Sequence, residues 1–249
     1  MTNKQRIVKF SILNIRMINS KQQKIWEQEY RNPQLVTKDS KPQACTLRFL
    51  KFLRKQGFVF ENSSVLDLGS GTGRNANHIA GVYGARVVGM EFSGTAVKLA
   101  KARAQESDLS VDYRQASIGE KFSFTDKSFD IILDITSSNS LNRNEREIYL
   151  AECARVLKDD GYFFVRALSL EGDVNAKNLL KKFSGTEAGT YVMPGIGLCE
   201  KVFTREEIIE LYQKYFTILK MDKDTGYTKF QNQSYKRNFW IMYLRKRIG

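Results

Sequence analysis

VLDLGSGTGRN, residues 65–75, decides the fold. Residues 64–68 form a short apolar run of strand character, glycines recur at 69, 71 and 73, and a helical pattern opens at Arg74 and runs to about Tyr83. Strand, glycine turn and helix in direct succession place a nucleotide-like ligand across the carboxyl end of a parallel sheet. Glycine lets the backbone approach that ligand closely and take dihedral angles closed to other residues.

The same rhythm extends to both sides. The spacing of Leu47, Leu50 and Leu53 predicts an amphipathic helix over 43–56, ended by Gly57. Further strands are predicted at 85–91, 110–114, 129–135 and 162–168, with helices at 94–106 and 144–157 between them. Near-continuous apolar strands alternating with helices indicate a mostly parallel sheet covered on both faces, an α/β fold. After residue 170 the rhythm breaks. Residues 171–203 are rich in glycine and lysine without a clear period. Thr204 to Glu207 reads as a capping box opening a helix to about Tyr215, and β-type runs at 216–221 and 238–244 close the chain around a polar segment.

Two carboxylates narrow the ligand. Asp67 stands two positions before the first glycine, and Glu91 ends the next strand, where it can reach a ribose bound over the turn and accept from both hydroxyls. A dinucleotide fingerprint would read GxGxxG and direct a pyrophosphate at the helix N-terminus. Here the spacing is GxGxG, and a carboxylate at that place repels a pyrophosphate but suits a cationic cofactor. S-adenosylmethionine carries an ammonium and a sulfonium, so a methyl donor is favoured over a nicotinamide dinucleotide.

VLDLGSGTGRN followed by VVGMEFS (residues 87–93), SFDIILDI (128–135) and YLAECARVLKDDGYFFV (149–165) resembles the class I S-adenosylmethionine-dependent methyltransferases, in particular the small methyltransferase-domain groups. The resemblance covers roughly residues 43–170 and implies a Rossmann-like seven-stranded sheet with an antiparallel last strand. It implies that Asp67, Gly69, Gly71 and Gly73 surround the methionine part of the cofactor, with Ser70, Arg74 and Asn75 of the same turn in the site. Glu91 would hold the ribose, and Phe92, with Ser93 next to it, would border the adenine. Ser117, followed by Ile118, stands where the family often has an acidic residue contacting the adenine amine. Asp134, Ile135 and Thr136 would end the fourth strand near the transferable methyl. Asp159, Asp160 and Gly161 depart from the family's usual Pro-Gly-Gly turn, a change read as structural.

Methyl transfer is an in-line displacement in which alignment supplies about 7–11 kcal/mol, and a general base is needed only when the acceptor keeps its proton. Asp134 is the candidate base by position, with a structural strand-end role as the competing reading. Trp26 and Tyr30, four residues apart on one helical face, are expected to form a lid segment within an N-terminal extension over 1–42, ahead of a methyltransferase domain over 43–249. The stretch 171–203 is the expected acceptor-site insertion, with Tyr191, Met193 and Phe203 as wall residues. His78 is expected to pack or face solvent, and Cys153 and Cys199 to be buried thiols.

The chain has 249 residues, and its apolar and aromatic content is enough to build a core, which excludes disorder throughout. One histidine and three scattered cysteines leave no metal site or disulfide scaffold to expect. The first twenty residues make a poor signal peptide, Met17 is a candidate alternative start, and no apolar run spans a membrane, so a cytoplasmic location is expected. The formal net charge of +13 divides into +9 over residues 1–64, −1 over 65–170 and +5 over 171–249. The excess therefore flanks the cofactor segment and leans toward an anionic acceptor. No Asn-Pro-Pro-aromatic tetrad and no Pro-Cys nucleophile is present, so a small-molecule acceptor leads. Methylation of RNA or another macromolecule through the basic flanks is the first alternative, and a cofactor-binding protein without turnover the second.

Overall fold

A computed structural model describes residues 21–35, 39–230 and 233–247; Met17 lies outside them. The chain opens with helix α1, whose described part is 21–31, and continues through α2 (Ala44–Lys55), β1 (Ser64–Leu68), α3 (Arg74–Tyr83), β2 (Arg86–Glu91), α4 (Gly94–Glu106), β3 (Val111–Gln115), β4 (Phe129–Ile135), α5 (Arg143–Val156) and β5 (Leu157–Leu168). Then follow α6 (Val174–Lys182), β6 (Thr190–Val192), β7 (Cys199–Lys201), α7 (Arg205–Gln213), β8 (Phe216–Phe230) and β9 (Gln233–Lys246). Seven strands form one sheet in the order β3-β2-β1-β4-β5-β9-β8. β1 to β5 are parallel, and β9 lies antiparallel to both β5 and β8. The chain moves outward from β1 to β3 and then jumps back to β4, which opens a crevice at the carboxyl ends of β1 and β4.

Alternation along the strands sends side chains to two cores. Leu66, Leu68, Ile132, Phe163 and Val165 pack with Tyr149, Leu150 and Cys153 of α5 and Ile208 and Tyr212 of α7. Val65, Ile131, Leu133 and Phe164 pack on the opposite face with Phe49 and Leu53 of α2, Ile79 of α3 and Ala100 of α4. Phe49 anchors this second layer, its ring 4.9 Å from Phe164 and 5.0 Å from Tyr243. The capping box at Thr204 and Glu207 is formed as its sequence predicts. A second one, Asn142 with Glu145, starts α5.

The structure departs from expectation after residue 170. The irregular stretch contains α6 and the small β6–β7 hairpin, whose register pairs Tyr191 with Glu200. The two closing strands are far longer than their apolar cores, and pair from Phe216↔Lys246 to Phe230↔Gln233. Beyond Leu168 the ribbon has no β5 beneath it. Its residues therefore need no buried apolar face, and polar side chains are tolerated in a regular strand.

Candidate active site

A cavity of about 680 Å³ lies at the carboxyl ends of β1, β2, β4 and β5. Residues from α1, from the β6–β7 hairpin and from the β8–β9 ribbon complete its lining. Within it, the turn after β1 runs through Gly69, whose φ of +65° favours glycine and whose added Cβ would stand 2.3 Å from the Ser137 Cβ. Gly73, at φ +82°, serves as the left-handed N-cap of α3, and a Cβ there would meet the Tyr113 hydroxyl at 2.2 Å. The turn is thus pressed tightly against its neighbours, and only glycine fits both places.

Glu91 organises the second strand end. Its carboxylate accepts from the Gly71 amide at 2.9 Å and the Ser93 amide at 2.8 Å. Burial pushes its carboxyl up while the Ser93, Gly71 and Phe92 amides pull it down, with burial ahead. The two oxygens, with about four acceptor sites between them, keep capacity to accept a ligand hydroxyl. Asp67 is almost fully buried, and its Oδ2 has no partner. Burial first, and then the charges of Asp134 and Glu91, push its carboxyl up to about 7. Gln22 Oε1, Ser70 Oγ and Ser140 Oγ are also buried without partners among the described residues. All four residues line this cavity. Buried polar atoms are rarely left unmade unless a ligand or water completes them.

Helix α1 covers the glycine-turn side of the cavity. Glu27 accepts from the Gly94 amide at 2.5 Å and the Thr95 amide at 3.2 Å, and so caps the N-terminus of α4 with a charge that its dipole favours. Burial raises the Glu27 carboxyl, but hydrogen bonds from Thr95 and Gly94 outweigh it and bring it below the usual value. Gln23 donates to the Phe92 carbonyl at 3.2 Å. Trp26 and Tyr30, with ring centroids 6.2 Å apart, both line the cavity. The Tyr30 hydroxyl lies 2.9 Å from where a Cβ on Gly71 would be.

Among the sequence-predicted residues, Gly69, Ser70, Gly71, Arg74, Asn75, Phe92, Ser117, Ile118, Ile135, Thr136 and Met193 line the cavity with Asp67 and Glu91. Gly73 and Ser93 do not; both act as helix caps, the Ser93 hydroxyl accepting from the Ala96 amide. Asn75 lines the wall, but its side chain is engaged with Gln43 and Thr46. Asp134 is a correction to the expected base. It is fully buried and off the cavity. One of its oxygens accepts from the Ser137 amide at 2.9 Å and from the Ser137 hydroxyl, the other from the Tyr149 hydroxyl at 2.6 Å. These bonds clamp the turn that holds Thr136 at φ +66°, a position costly for a β-branched residue.

The acceptor wall also needs correction. Tyr191 and Phe203 are buried behind it. Phe203 packs in the core of the α5–α7 face. The Tyr191 hydroxyl donates to Glu200 at 2.6 Å and accepts from Arg237 at 2.9 Å, and Arg237 also binds Asp173 at 3.1 Å. Tyr191 therefore braces the hairpin, while Met193, Leu198 and Glu200 line the cavity. Sequence reading missed Arg166, Gly226, Tyr227, Arg237 and Phe239, which complete this side. The signal for Arg166 was present, a lone arginine inside the apolar run YFFVRAL. Nothing marked the ribbon residues, since their segment lacks apolar alternation. The Arg166 guanidinium stands 3.3 Å from the centroid of the Phe239 ring. Burial lowers its pKa, which the charges of Arg74 and Arg48 lower further against the Cys45 and Asp224 effects.

The sheet order, the glycine turn and the two strand-end acids match a Rossmann-like methyltransferase fold. Residues 65–161 match the family model described as a methyltransferase domain. The chain is 36% identical over 110 residues to the ubiquinone biosynthesis O-methyltransferase of Bartonella quintana (strain Toulouse), covering 44% of this chain and 43% of that protein. The corresponding figures for the protein of the same name from Chelativorans sp. (strain BNC1) are 34%, 44% and 42%. The matched stretch thus spans less than half the length of these curated relatives. Among solved structures, a SAM-dependent methyltransferase from Methanosarcina mazei superposes with a TM-score of 0.67 at 22% identity, over 79% of this chain and 98% of that one. The 1,6-didemethyltoxoflavin-N1-methyltransferase of Burkholderia thailandensis, solved with 1,6-didemethyltoxoflavin and S-adenosylhomocysteine, gives 0.64 at 18% identity, over 92% and 88%. At these identities the two structures show the shared fold. No helix among the described residues is long and apolar enough to cross a membrane.

Proposed function

We propose that the protein is an S-adenosylmethionine-dependent methyltransferase acting on a small-molecule acceptor. The observation that carries this reading is the unpartnered carboxylate oxygen of Asp67, buried beside the glycine turn in the cavity that also collects the other three orphaned polar atoms. An ammonium restores the ionised state of Asp67, and the free lone pairs of Glu91 receive ribose hydroxyls. Bound there, S-adenosylmethionine supplies an electrophilic methyl group on a sulfonium. The protein's own part is alignment and exclusion of water: the turn fixes the amino-acid end, Phe92 and Ile118 flank the base, and Trp26 and Tyr30 close over them as a lid. This assigns residues 1–42 to an extension that includes the lid and 43–249 to the methyltransferase domain.

On the acceptor side the reading gives Glu200, rather than Asp134, the proton of a protonated acceptor. A small molecule is favoured over RNA because α1 and both hairpin elements contribute to the lining of the cavity. The three cysteines, all unpaired, support a reducing compartment, the cytoplasm.

Calorimetry on the full chain tests the reading. S-adenosylmethionine and S-adenosylhomocysteine should each bind at one site per chain, and NAD should not. Binding of NAD alone would overturn it. A steep log–log salt dependence of RNA affinity would move the acceptor to nucleic acid, and cofactor binding with no transfer to any small acceptor would favour a non-catalytic role.

A further inference from the structure

The acceptor end of the cavity contains a cation without a counter-ion. Arg166 makes no hydrogen bond or ion pair through its side chain among the described residues; its guanidinium lies over the Phe239 ring. The neighbouring charges are already committed. Asp224, the carboxylate whose charge it senses, is bound to Arg48 at 2.7 Å. Arg237, on the same ribbon, is held by Asp173 and Tyr191. Arg166 is half-buried, and withdrawing a guanidinium even partly from water without a partner is costly, so a fold retains such a group where something else completes it.

Its position is suited to a ligand. In register, Arg166 lies beside Ile135 of β4 and Ile241 of β9. Its carbonyl accepts from the Thr136 amide at 2.8 Å, so the residue is fixed next to the cavity floor. Along its face of the sheet the series Phe164, Arg166, Leu168 runs from the core into the cavity, and Phe239 lies opposite Leu168. On the outer strand Gly226 contributes no side chain. A Cβ there would lie 3.3 Å from Nη2 of Arg166 and 3.3 Å from the Phe239 ring, so the glycine keeps the guanidinium and the space before it clear.

We propose that Arg166 is the acceptor anchor, pairing with a single carboxylate of the molecule to be methylated. A guanidinium offers a planar fork that matches a carboxylate through two parallel hydrogen bonds. Asp67, Glu91 and Glu200 line the same cavity, so a compact monoanion fits better than a phosphate dianion. The inference rests on the methyltransferase reading, since it treats the far end of the cavity as the acceptor's.

The test compares benzoate with its neutral isostere benzamide on the full chain saturated with S-adenosylhomocysteine, read by ligand-observed NMR titration. Wild-type protein should prefer benzoate by about tenfold or more, the effect of a half-buried charge-assisted pair. Arg166→Gln should bring benzoate down to the benzamide level while benzamide affinity stays as it was. Arg166→Lys, which keeps the charge but loses the fork, should weaken benzoate several-fold and serves if the glutamine variant fails to fold. Equal affinity for the two probes in wild type, a benzoate preference that survives Arg166→Gln, or unchanged benzoate affinity in Arg166→Lys would each overturn the proposal. A parallel titration of the protein with S-adenosylhomocysteine itself separates the two ideas. Absence of homocysteine-derivative binding sinks the methyltransferase reading, whereas the benzoate preference decides Arg166.

Discussion

Lowering the pH from 7.5 to 5.5 should weaken the binding of S-adenosylhomocysteine about 25-fold, through Asp67. Its carboxyl is pushed up to about 7 by burial and by the charges of Asp134 and Glu91. The ammonium of the ligand needs the ionised form, so binding below pH 7 must first release a proton. A group titrating at about 7 gives close to tenfold loss per unit well below that value, and about 25-fold over this interval. At pH 6 about 0.9 proton should be released per ligand bound, measurable by calorimetry in two buffers of different ionisation enthalpy. The same shift acts on the free protein with the opposite preference. A folded carboxyl titrating near 7 instead of 3.8 favours the folded state at low pH. That contribution is complete below the unfolded value and is lost as the pH rises through about 7. Its size is on the order of 4 kcal/mol. Asp67→Asn should flatten both dependences and lower affinity at pH 7.5 by about tenfold or more. Glu91→Gln should weaken binding and, by removing one of the charges that raise Asp67, move the loss of affinity to lower pH rather than abolish it. Affinity that is independent of pH from 5.5 to 7.5, or a slope retained in Asp67→Asn, would refute this account of the site.

Three further outcomes follow from the geometry. Gly69→Ala places a Cβ 2.3 Å from Ser137 at φ +65°, and strain of about 1–3 kcal/mol should appear as a lower melting temperature together with lost cofactor binding. Glu27→Gln keeps the shape of the α1–α4 contact but removes its charge; the melting temperature should change little while the S-adenosylhomocysteine dissociation constant rises about three- to tenfold. Glu200→Gln should lower kcat for a protonated acceptor with cofactor affinity unchanged; an unaltered kcat would return Glu200 to a purely structural part beside Tyr191.

The glycine-turn half of the cavity was legible because it is built from local rules. Gly69, Gly71 and Gly73 sit between a β run and a helical run, and the strand-end acids fall at positions that any parallel sheet brings together. The fate of Asp134 was not legible. Its carboxylate is taken up by Ser137 three residues ahead and by Tyr149 on a helix, and strand position alone cannot distinguish a carboxylate facing a ligand from one tying down a turn. Tyr191 and Phe203 failed for a related reason, since nothing in an aperiodic segment tells which aromatic side chains face inward. The ribbon was hidden because β8 and β9 pair with each other far beyond the core, where hydrogen bonding sustains the strands without hydrophobic alternation.

The same division limits what the relatives can say about the acceptor. The family match ends at residue 161, whereas Arg166, Met193, Glu200, Gly226, Tyr227 and Phe239 line the cavity from beyond it. Similarity to ubiquinone biosynthesis O-methyltransferases therefore bears on the cofactor half, and their acceptor does not carry over with it. Net charge proves an equally poor guide. The excess of +13 lies in the flanks, yet no lysine is among the described residues that line the cavity. Its cations there are Arg74, Arg166 and Arg237. Any preference for an anionic acceptor is then a matter of one half-buried guanidinium at contact distance, and it should persist at salt concentrations that screen the lysine-rich surface.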